Sequence, residues 1–427
     1  MIGQRLVISA GRVIDPANGI DGVQPVYIAD GRIVAVGNRP ADFHAEREIE
    51  VPGCIVCPGF IDLCARPREP GHEHKGTLAS EGVAAAAAGV TTLFVPPDTW
   101  PVIDSPAVAR LIRERGRTAA GINMVPVGAL TQGLNGRDLS EMSALRDAGC
   151  RAVGNASRPL ASPLVARRAL EYAASHGLLV MLRPQDPSLR DGGCMHEGPV
   201  ATRLGLPGIP EAAETLAVAQ LLVLIEQTGV RAHFGQLSSA RAASMLLEAQ
   251  ARGLAVSADV AVHQLFLTED AVADFDAMCH VDPPFRSAED RAGLRSALAN
   301  GAIGAICSDH QPHDPDAKLD VFSATEAGVS SIETLLPLML RLVAEGVLSL
   351  PDALARLTSG PAAILGLPGG RFDVGAPADL CVFDPEATWI VDDTNWRSQG
   401  RNTPFWGQPM YGRVRYTVVA GRPVFGA

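Results

Sequence analysis

The sequence contains no long hydrophobic run. None of its 427 residues falls in an uncharged apolar stretch of 18 or more, which predicts that no helix spans a membrane. The opening segment, MIGQRLVISAGRVIDP, alternates like a strand and lacks the apolar core of a secretory signal. We therefore expect a cytoplasmic protein without a membrane partner.

The sequence also has fewer basic than acidic residues. Lys and Arg number 36 against 47 Asp and Glu, which gives a formal net charge of −11. Nucleic acids and anionic lipids are bound through basic surfaces, so neither is an expected partner.

The eight cysteines form no pairing framework. They are scattered along the chain, and without a secretory signal they are expected to be reduced thiols of the core. Cys54 and Cys57 form a CxxC within the apolar segment VPGCIVCPGF. A redox or zinc role there is the alternative, but no second pair of ligands lies nearby.

What the sequence does contain is β-structure at both ends. Residues 5–50 alternate in short segments with turn residues, and Asp30-Gly31 predicts a hairpin turn. The C-terminal region has the same pattern of short strands separated by Gly and Pro. These ends predict one composite β-sandwich domain formed by residues 1–52 and 368–427.

The middle of the chain alternates strands and helices. Helical stretches rich in Ala and Leu, such as LASEGVAAAAAGV, separate eight apolar strand candidates. The candidates are IVCPGFIDLC, TTLFVPP, INMVPVGAL, AVGNAS, LLVMLRP, RAHFGQLS, AVSADVAVH and AIGAICSD. Eight such units predict an α/β fold, a parallel (β/α)₈ TIM barrel over residues 53–367, with its chemistry at the carboxyl ends of the strands.

Several segments at those strand ends match a known family in the right order. The segments are PGFIDLCARPREPG, VPPDTWPVID, VGNASRPL, LRPQDP, HFGQLSS, HVDPPFR and SDHQPH. They resemble the dihydroorotases of the amidohydrolase superfamily over nearly the whole chain. The resemblance implies an amidohydrolase type of barrel and a zinc-dependent hydrolytic site.

The positions that would bind the metal depart from the family pattern. The resemblance assigns metal ligands to an HxH on the first strand, an acid, two further histidines and an acid on the last strand. The corresponding residues of this sequence are Cys64, Arg66, Asn155, Arg183, Gln236 and Asp309. Only Asp309 keeps a ligand of the family, so we expect no zinc, no cofactor and no catalytic residue, with Asp309 as a vestige.

Two of the replacements bring charge of the wrong sign. Arginine stays protonated and offers no lone pair. At ~4 Å and an effective dielectric constant of ~20, one unit charge repels another by ~4 kcal/mol, and a divalent cation by about twice that. Arg66 and Arg183 would oppose a metal centre, and without a metal no activated water attacks a cyclic amide. We expect no hydrolysis of dihydroorotate.

The substrate side of the site is altered too. The resemblance places Arg68 and His313 beside the substrate, while Asp98 and Asp282 stand where the family has asparagine. Dihydroorotate and carbamoyl aspartate are anions, so carboxylates there would repel them unless the arginines neutralised the pocket. These four are vestigial substrate-binding positions.

Two interpretations of Arg66 and Arg183 remain open. They are either counterions of Asp309 and Asp98 or a new anion-binding pair. We favour counterions, because a vacated metal site leaves buried acids to compensate. Arg66 and Asp309 should then form a charge-assisted, bidentate pair at ~2.7–2.9 Å that lowers the pKa of the acid.

The histidines allow one alternative metal site. Asp309-His310 and His313 could hold a lone metal, but this alternative is weakened because catalytic zinc usually takes three protein ligands. His233 is expected to be a hydrogen-bonded core residue. The histidines at 72–74 are expected in a solvated loop, with a subunit contact as the alternative.

Three functions are compatible with these observations. The resemblance implies the first, because inactive dihydroorotase homologues are partners of the catalytic subunit of aspartate carbamoyltransferase in pyrimidine biosynthesis. The second is an amidohydrolase with an altered substrate and few metal ligands. The third is a regulatory subunit that binds a small anion through the pocket arginines. A retained barrel with a disabled site favours the first, and we expect a homo-oligomer.

Overall fold

A computed structural model describes residues 5–426 of the chain. The predicted first strand and the composite domain begin at residue 1; residues 1–4 and 427 lie outside the described residues. The strands are β1 (Leu6–Ser9), β2 (Arg12–Asp15), β3 (Ile20–Val23), β4 (Val26–Ala29), β5 (Arg32–Val36), β6 (Arg47–Glu50), β7 (Ile55–Pro58), β8 (Phe60–Asp62), β9 (Val90–Val95), β10 (Asn123–Pro126), β11 (Gly128–Ala129), β12 (Ala152–Gly154), β13 (Leu179–Leu182), β14 (Met195–His196), β15 (Gly208–Ile209), β16 (Ala232–Phe234), β17 (Val256–Ala261), β18 (Ala305–Cys307), β19 (Leu380–Ile390), β20 (Pro409–Val419) and β21 (Arg422–Phe425).

The α-helices are α1 (Leu78–Ala87), α2 (Pro106–Arg115), α3 (Met142–Asp147), α4 (Pro163–Ser175), α5 (Pro187–Arg190), α6 (Pro199–Leu204), α7 (Ala212–Thr228), α8 (Ala240–Ala251), α9 (Ala288–Asn300), α10 (Leu335–Ala344), α11 (Leu350–Ala355) and α12 (Ser359–Leu365). A π-helical turn, Gly116–Ala120, continues α2. Short 3₁₀ turns cover Gln132–Leu134, Val262–Leu265, Glu269–Val272, Ala277–Cys279, Pro315–Lys318, Phe322–Ala324 and Ile332–Thr334.

The strands of the middle region pair in parallel. They form two ladders, in the orders β10–β9–β8 and β11–β12–β13–β16–β17–β18. β10 and β11 belong to one extended segment, and between them the Val127 amide donates to the Val95 carbonyl at 2.9 Å. At the other side a parallel bridge joins Ala65 to His310, just beyond the carboxyl ends of β8 and β18. Each predicted strand segment contains strand structure, and the α/β class is confirmed.

Local side-chain chemistry sets where α1 begins. Thr77 Oγ1 accepts a hydrogen bond from the Ser80 amide at 2.9 Å, and Ser80 Oγ accepts one from the Thr77 amide at 2.9 Å. This reciprocal cap satisfies two amide groups at the helix start. The predicted alanine run lies in this helix with Ala84, Ala85 and Ala86 buried. α1 therefore packs inward and carries Glu81 toward the strand ends.

Strands from both ends of the chain form the remaining larger sheets. Their orders are β5–β4–β1–β6 and β21–β20–β19–β7–β2–β3. β7 connects the two ends of the chain, since it pairs in parallel with β2 and antiparallel with β19. The predicted hairpin at Asp30-Gly31 is confirmed: β4 and β5 pair antiparallel across it, and both turn residues have left-handed φ values of 51° and 73°.

The cysteines are buried free thiols, as predicted. In the β7–β19 pair, Cys57 lies opposite Cys381 and its Sγ is 3.7 Å from the Cys381 carbonyl oxygen. Burial raises the pKa values of Cys54 and Cys57, which disfavours the thiolate that redox chemistry or zinc binding requires. The CxxC is therefore part of the sheet packing.

No helix between residues 5 and 426 combines the length and the apolar character that a membrane crossing requires.

Candidate functional site

The six positions assigned by the family pattern gather at the carboxyl ends of the parallel strands. They are Cys64 and Arg66 after β8, Asn155 after β12, Arg183 after β13, Gln236 after β16 and Asp309 after β18. Four of them, Cys64, Arg66, Arg183 and Gln236, line one cavity of about 40 Å³. The expected grouping of these positions at the strand ends is therefore present, while their role as a functional site stays a prediction.

Arg66 bonds two carboxylates at once. Its Nε donates to Asp98 Oδ2 at 2.9 Å, and its Nη1 donates to Asp309 Oδ1 at 3.1 Å. The Arg66 side chain is 9% exposed and that of Asp309 is 5% exposed. The predicted pair of Arg66 and Asp309 is thus present, but it is a single hydrogen bond and not the bidentate one expected.

The pKa values of Asp98 and Asp309 are shifted in opposite directions beside the Arg66 guanidinium. Burial acts to raise the pKa of Asp98, but the charge and hydrogen bond of Arg66 outweigh it, and the pKa lies below its ordinary value. For Asp309 burial is the larger influence and raises the pKa despite the attraction of Arg66. The predicted lowering of the Asp309 pKa is therefore wrong. The reason is that the Asp309 side chain is less exposed than that of Asp98 and that the charge of Asp259 acts further to raise its pKa, whereas the charge of Arg68 helps to lower the pKa of Asp98.

Cys64 stays a thiol beside this pair. Its Sγ lies 3.5 Å from Asp309 Oδ1 and 3.6 Å from Arg66 Nη1. Burial is the largest influence and raises the pKa of Cys64 well above its usual range, although the charge of Arg66 acts in the opposite direction. A neutral thiol is a poor metal ligand.

The second arginine has a different partner from the one predicted. Arg183 Nη2 lies 2.8 Å from Asp282 Oδ1, not against Asp309 or Asp98. The contact is close but poorly aligned, and this Nη2 makes no well-formed hydrogen bond to a described residue. The correction has a simple cause: Arg66 already compensates the other two acids, whereas Asp282 would otherwise be a buried carboxylate without a compensating charge.

Neighbouring side chains stabilise the negative charge of Asp282. Gln185 Nε2 donates to its Oδ1 at 3.0 Å, and Arg190 Nη2 lies 3.7 Å from its Oδ2. Burial acts to raise the pKa of Asp282, but Arg183 is the main influence that brings it below its ordinary value. The acids that replace the family's asparagines are thus each neutralised by an arginine that replaces a histidine.

Asn155 does not line the cavity of about 40 Å³, whereas Gln236 does. Asn155 Oδ1 accepts from Thr131 Oγ1 at 2.9 Å, and its Nδ2 donates to the Arg158 carbonyl at 3.1 Å. Gln236 donates its backbone amide to Asp259 Oδ1 at 2.7 Å. The Asn155 side chain holds its own loop, and the Gln236 amide replaces imidazole with a weaker donor atom.

The two predicted substrate residues contact each other. Arg68 Nη2 lies 3.0 Å from His313 Nε2, and Arg68 Nε donates to the Pro312 carbonyl at 2.9 Å. Burial lowers the pKa of Arg68 to about 10 and that of His313 to about 2, so the imidazole is neutral. Lys75 Nζ adds a second cation 3.5 Å from His313 Nδ1. Neither Arg68 nor His313 lines the cavity of about 40 Å³.

Three site positions have left-handed backbone without being glycine. The φ values are 70° at Arg68, 52° at Gln236 and 45° at Asp309. This conformation costs a non-glycine residue ~1–2 kcal/mol, and such residues cluster where a fold positions side chains for a purpose. Three of these positions therefore have an uncommon backbone conformation, with side chains that neutralise one another.

The sequence reasoning missed the acids that hold the buried histidines. His233, predicted as a hydrogen-bonded core residue, lies with Nε2 2.8 Å from Asp259 Oδ2 and Nδ1 2.9 Å from Ser257 Oγ. His310 lies with Nε2 2.8 Å from Glu81 Oε2. A carboxylate in an otherwise apolar strand or in an alanine-rich helix was the available indication, since buried acids need partners.

The loop histidines behave as the simpler interpretation predicted. His72 and His74 are exposed, and their rings approach each other at 6.2 Å between centroids. The subunit-contact alternative for them stays a prediction.

The donor set does not fit a metal ion. Among residues 5–426, no group of three or more His, Cys, Asp or Glu side chains is arranged to hold one. His310 faces Glu81 and His313 faces Arg68, so neither joins Asp309 in the lone site considered above. A metal near Asp309 would have to displace the Arg66 guanidinium, which offers no lone pair.

The space at the site is also small. A cavity of about 40 Å³ holds a few water molecules, whereas sites for small-molecule ligands measure ~300–1,000 Å³. A neighbouring cavity of about 250 Å³ is lined by Asn155, Arg158 and Arg183, but not by Arg66, Asp309 or His313. What the arrangement does is neutralise buried charge.

Comparison with known proteins identifies the family and the fold. A model of the dihydro-orotase-like family matches residues 53–242, and a model of the amidohydrolase family matches residues 316–425. A dihydroorotase-like protein of Pseudomonas putida is 51% identical over 98% of this chain and 99% of its own length. A dihydroorotase of Syntrophotalea carbinolica is 44% identical over 98% of each chain. The solved structure of the L-hydantoinase from Arthrobacter aurescens has a TM-score of 0.87 at 23% identity, over 99% of this chain and 96% of that one, which indicates a shared fold.

Proposed function

Because this chain belongs to the dihydroorotase-like proteins of the amidohydrolase superfamily, we propose that it is a non-catalytic member whose role is to bind another protein. The observation that carries the proposal is the position of Arg66. Its guanidinium occupies a metal-ligand position of the family and bonds both Asp98 and Asp309. The ion pairs take the place that a metal centre would need.

The same contacts argue against the second candidate, an amidohydrolase with an altered substrate. Such an enzyme needs a metal or another group that activates water, and it needs room for a cyclic amide. Cys64 is a neutral thiol, Asp98 and Asp282 are paired with arginines, and the cavity measures about 40 Å³. The small volume of this cavity also argues against a small anion bound between Arg66 and Arg183.

The proposed partner is the catalytic subunit of aspartate carbamoyltransferase. Its support is the family resemblance, joined to the argument that a fold with a disabled pocket is useful through its outer surface. In this proposal the chain helps to assemble that enzyme in pyrimidine biosynthesis, as an oligomer in the cytoplasm. Eight free, buried cysteines agree with a reducing compartment.

The proposal includes the predicted architecture. We infer that the parallel strands close into a (β/α)₈ barrel over residues 53–367, through the bridge of Ala65 and His310 on one side and the bond of Val127 to Val95 on the other. The proposed composite β-sandwich of residues 1–52 and 368–427 is supported by the sheet in which β7 joins strands of both ends. Since β7 is Ile55–Pro58, this sheet extends a few residues past the proposed boundary at residue 52.

The first experiment measures metal and turnover on the same preparation. We expect less than one zinc per chain by elemental analysis and no metal-dependent turnover of dihydroorotate or carbamoyl aspartate. The dihydroorotase of Syntrophotalea carbinolica is the positive control for the assay. One or two zinc ions per chain, with turnover near an ordinary ~1–10³ s⁻¹, would contradict the proposal.

The second experiment tests the partner. The chain is mixed with the aspartate carbamoyltransferase catalytic subunit of the same organism at micromolar concentration and analysed by size-exclusion chromatography with light scattering. Co-elution at a fixed stoichiometry supports the assembly role. Separate elution, with unchanged transcarbamoylase activity, refutes the partner while leaving the non-catalytic site intact.

A further inference from the structure

A large cavity lies away from the family site. A cleft of about 560 Å³ lies at the amino ends of the parallel strands. Its walls include residues near the starts of β8, β9 and β10, one face of α2 with its π-helical turn, and the loop before β12. Residues 367–370, Pro377 and Asp379 complete the lining. β9 relates the two sites: Thr92 near its start lines the cleft, and Pro96 after its end lines the small cavity.

Four arginines line this cleft. Arg110, Arg113 and Arg117 are spaced by three and four residues, which places them on one face of α2 and the turn that follows. Arg151 faces them from the loop before β12. In a chain with a net charge of −11, such a concentration of positive charge in a concave surface attracts anions locally.

The arginines are not neutralised by the protein. Arg110, Arg117 and Arg151 are exposed and form no ion pair or hydrogen bond through their side chains with residues 5–426. The exposed Glu114 of the same helix also lines the cleft but pairs with none of them.

Asp379, the other acid that lines the cleft, already accepts hydrogen bonds from the protein. Asp379 Oδ1 accepts from the Ala420 amide at 2.7 Å, and its Oδ2 accepts from Asn123 Nδ2 at 3.1 Å. Both oxygens therefore serve the protein's own hydrogen bonds, and the arginines keep their donors.

Arg113 fixes the shape of the cleft. Its Nη1 donates to the Ala148 carbonyl at 2.8 Å. The guanidinium lies directly against Gly149, whose φ is 102°, and a Cβ at that position would come within 2.1 Å of Nη1. Glycine at 149 thus allows Arg113 to tie α2 to the loop that carries Arg151.

We propose that this cleft binds a small, multiply charged phosphorylated metabolite. Its volume lies within the ~300–1,000 Å³ of small-molecule sites. Guanidinium groups bind phosphate oxygens in bidentate fashion, and several around one cleft suit a ligand with more than one phosphate charge. The lining residues include no aromatic side chain, so recognition is through charge and hydrogen bonds and not through stacking on a base. The site is independent of whether the chain is catalytic.

The test uses pyrophosphate as the probe and isothermal titration calorimetry on the full chain. The variant replaces Arg110, Arg117 and Arg151 by Gln, and leaves Arg113 because that residue holds the loop. The matched control replaces Arg137, Arg241 and Arg252 by Gln, three exposed arginines whose side chains form no hydrogen bond or ion pair with a described residue. Both variants lose the same charge, so an effect of net charge alone appears equally in both.

We expect saturable binding at one site per chain, weakened roughly tenfold or more in the cleft variant and within about twofold in the control. Equal weakening in both variants, or no saturable binding to the native chain, overturns the proposal. A hexaglutamate peptide that displaces pyrophosphate at equal concentration also overturns it, because the cleft would then be a dock for an acidic protein segment.

Discussion

At the carboxyl ends of the parallel strands, Arg66 and Arg183 lie against acids around a cavity of about 40 Å³. At the amino ends, Arg110, Arg117 and Arg151 line a cleft of about 560 Å³ without an acidic partner among the described residues. The same side chain therefore has two uses in one molecule. Buried guanidinium groups satisfy buried carboxylates, whereas exposed ones keep their donors available to a ligand.

The difference follows from the cost of burying charge. A charge removed from water is tolerated when an opposite charge and hydrogen bonds compensate it, so Arg66 must be paired. An exposed arginine is compensated by solvent and needs no partner. Burial therefore requires a partner for Arg66, whereas exposure allows Arg110, Arg117 and Arg151 to remain unpaired.

The largest loss of stability is expected for Arg66→Ala, which tests whether the buried arginine is structural. The substitution leaves Asp98 and Asp309 without their shared counterion, and we expect the free energy of unfolding to fall by ~3–5 kcal/mol. Urea denaturation measures the loss. Arg137→Ala, at an exposed residue, is the control and should change stability by ~0.5 kcal/mol or less.

A rescue variant separates charge from packing. Arg66→Met combined with Asp98→Asn and Asp309→Asn removes all three charges while keeping similar volumes. Most of the lost stability should return, because neutral groups replace a buried ion pair at little cost. If Arg66→Ala costs less than ~1 kcal/mol, Arg66 is not the counterion that holds these acids.

The next largest effect is expected for Arg183→Ala. Asp282 keeps the hydrogen bond from Gln185, lies near Arg190, and has a side chain that is 17% exposed. The stability loss should therefore be ~1–3 kcal/mol, smaller than for Arg66→Ala. The same urea series compares the two variants directly, and a larger loss at Arg183 than at Arg66 would reverse the order of importance of the two pairs.

The sequence predicted which residues lie together at the strand ends but not the contacts among them. The strand-and-helix alternation and the family pattern identified the strand ends that carry Cys64, Arg66 and Asp309, because those features depend on local periodicity and motif order. Which acid each arginine meets depends on side-chain reach across several strands. This is why Arg183 was assigned to the wrong acids and why the direction of the Asp309 pKa shift was wrong.

The cleft at the amino ends could not be identified from the family pattern, which describes only the carboxyl ends. Its arginines are spread over α2, the following turn and the loop before β12. The spacing of Arg110, Arg113 and Arg117 was visible in the sequence, but an exposed helix face with charges is usual. Only the fold brings Arg151 opposite them.

Glu333 is a buried acid whose carboxylate forms no ion pair with an arginine of the described residues, unlike Asp98 and Asp282. The pH dependence of stability therefore tests what burial does to a carboxylate in the absence of such an ion pair. Burial raises the pKa of Glu333 to about 7, and its carboxylate accepts only the backbone amides of Arg397 and Ser398. The unfolded chain releases this proton near pH ~4.3, so the native state binds more protons between pH ~4.3 and about 7. Stability from this group is therefore complete below that window and falls as pH rises through it, by at most ~1.4 kcal/mol per pH unit.

Chemical denaturation at several pH values measures this slope. Glu333→Gln should flatten it, whereas the exposed Glu248→Gln should leave it unchanged. Parallel curves for native chain and Glu333→Gln would mean that Glu333 is ionised in the native state at pH 5 to 7.

The smallest expected effect concerns the stability of the ligand-free protein when the cleft arginines are changed. Arg110 and Arg117 flank Arg113 on one helical face, where like charges three or four residues apart repel by ~0.2–0.5 kcal/mol per pair. Replacing Arg110, Arg117 and Arg151 by Gln should therefore leave the free energy of unfolding unchanged or raise it by ~0.5 kcal/mol at low salt. Since the repulsion between exposed charges is screened over ~3 Å at 1 M salt, the gain should vanish there. A loss of ~2 kcal/mol or more would show that these arginines hold the fold together as Arg66 does, and the contrast between the two ends of the strands would no longer separate structural from binding arginines.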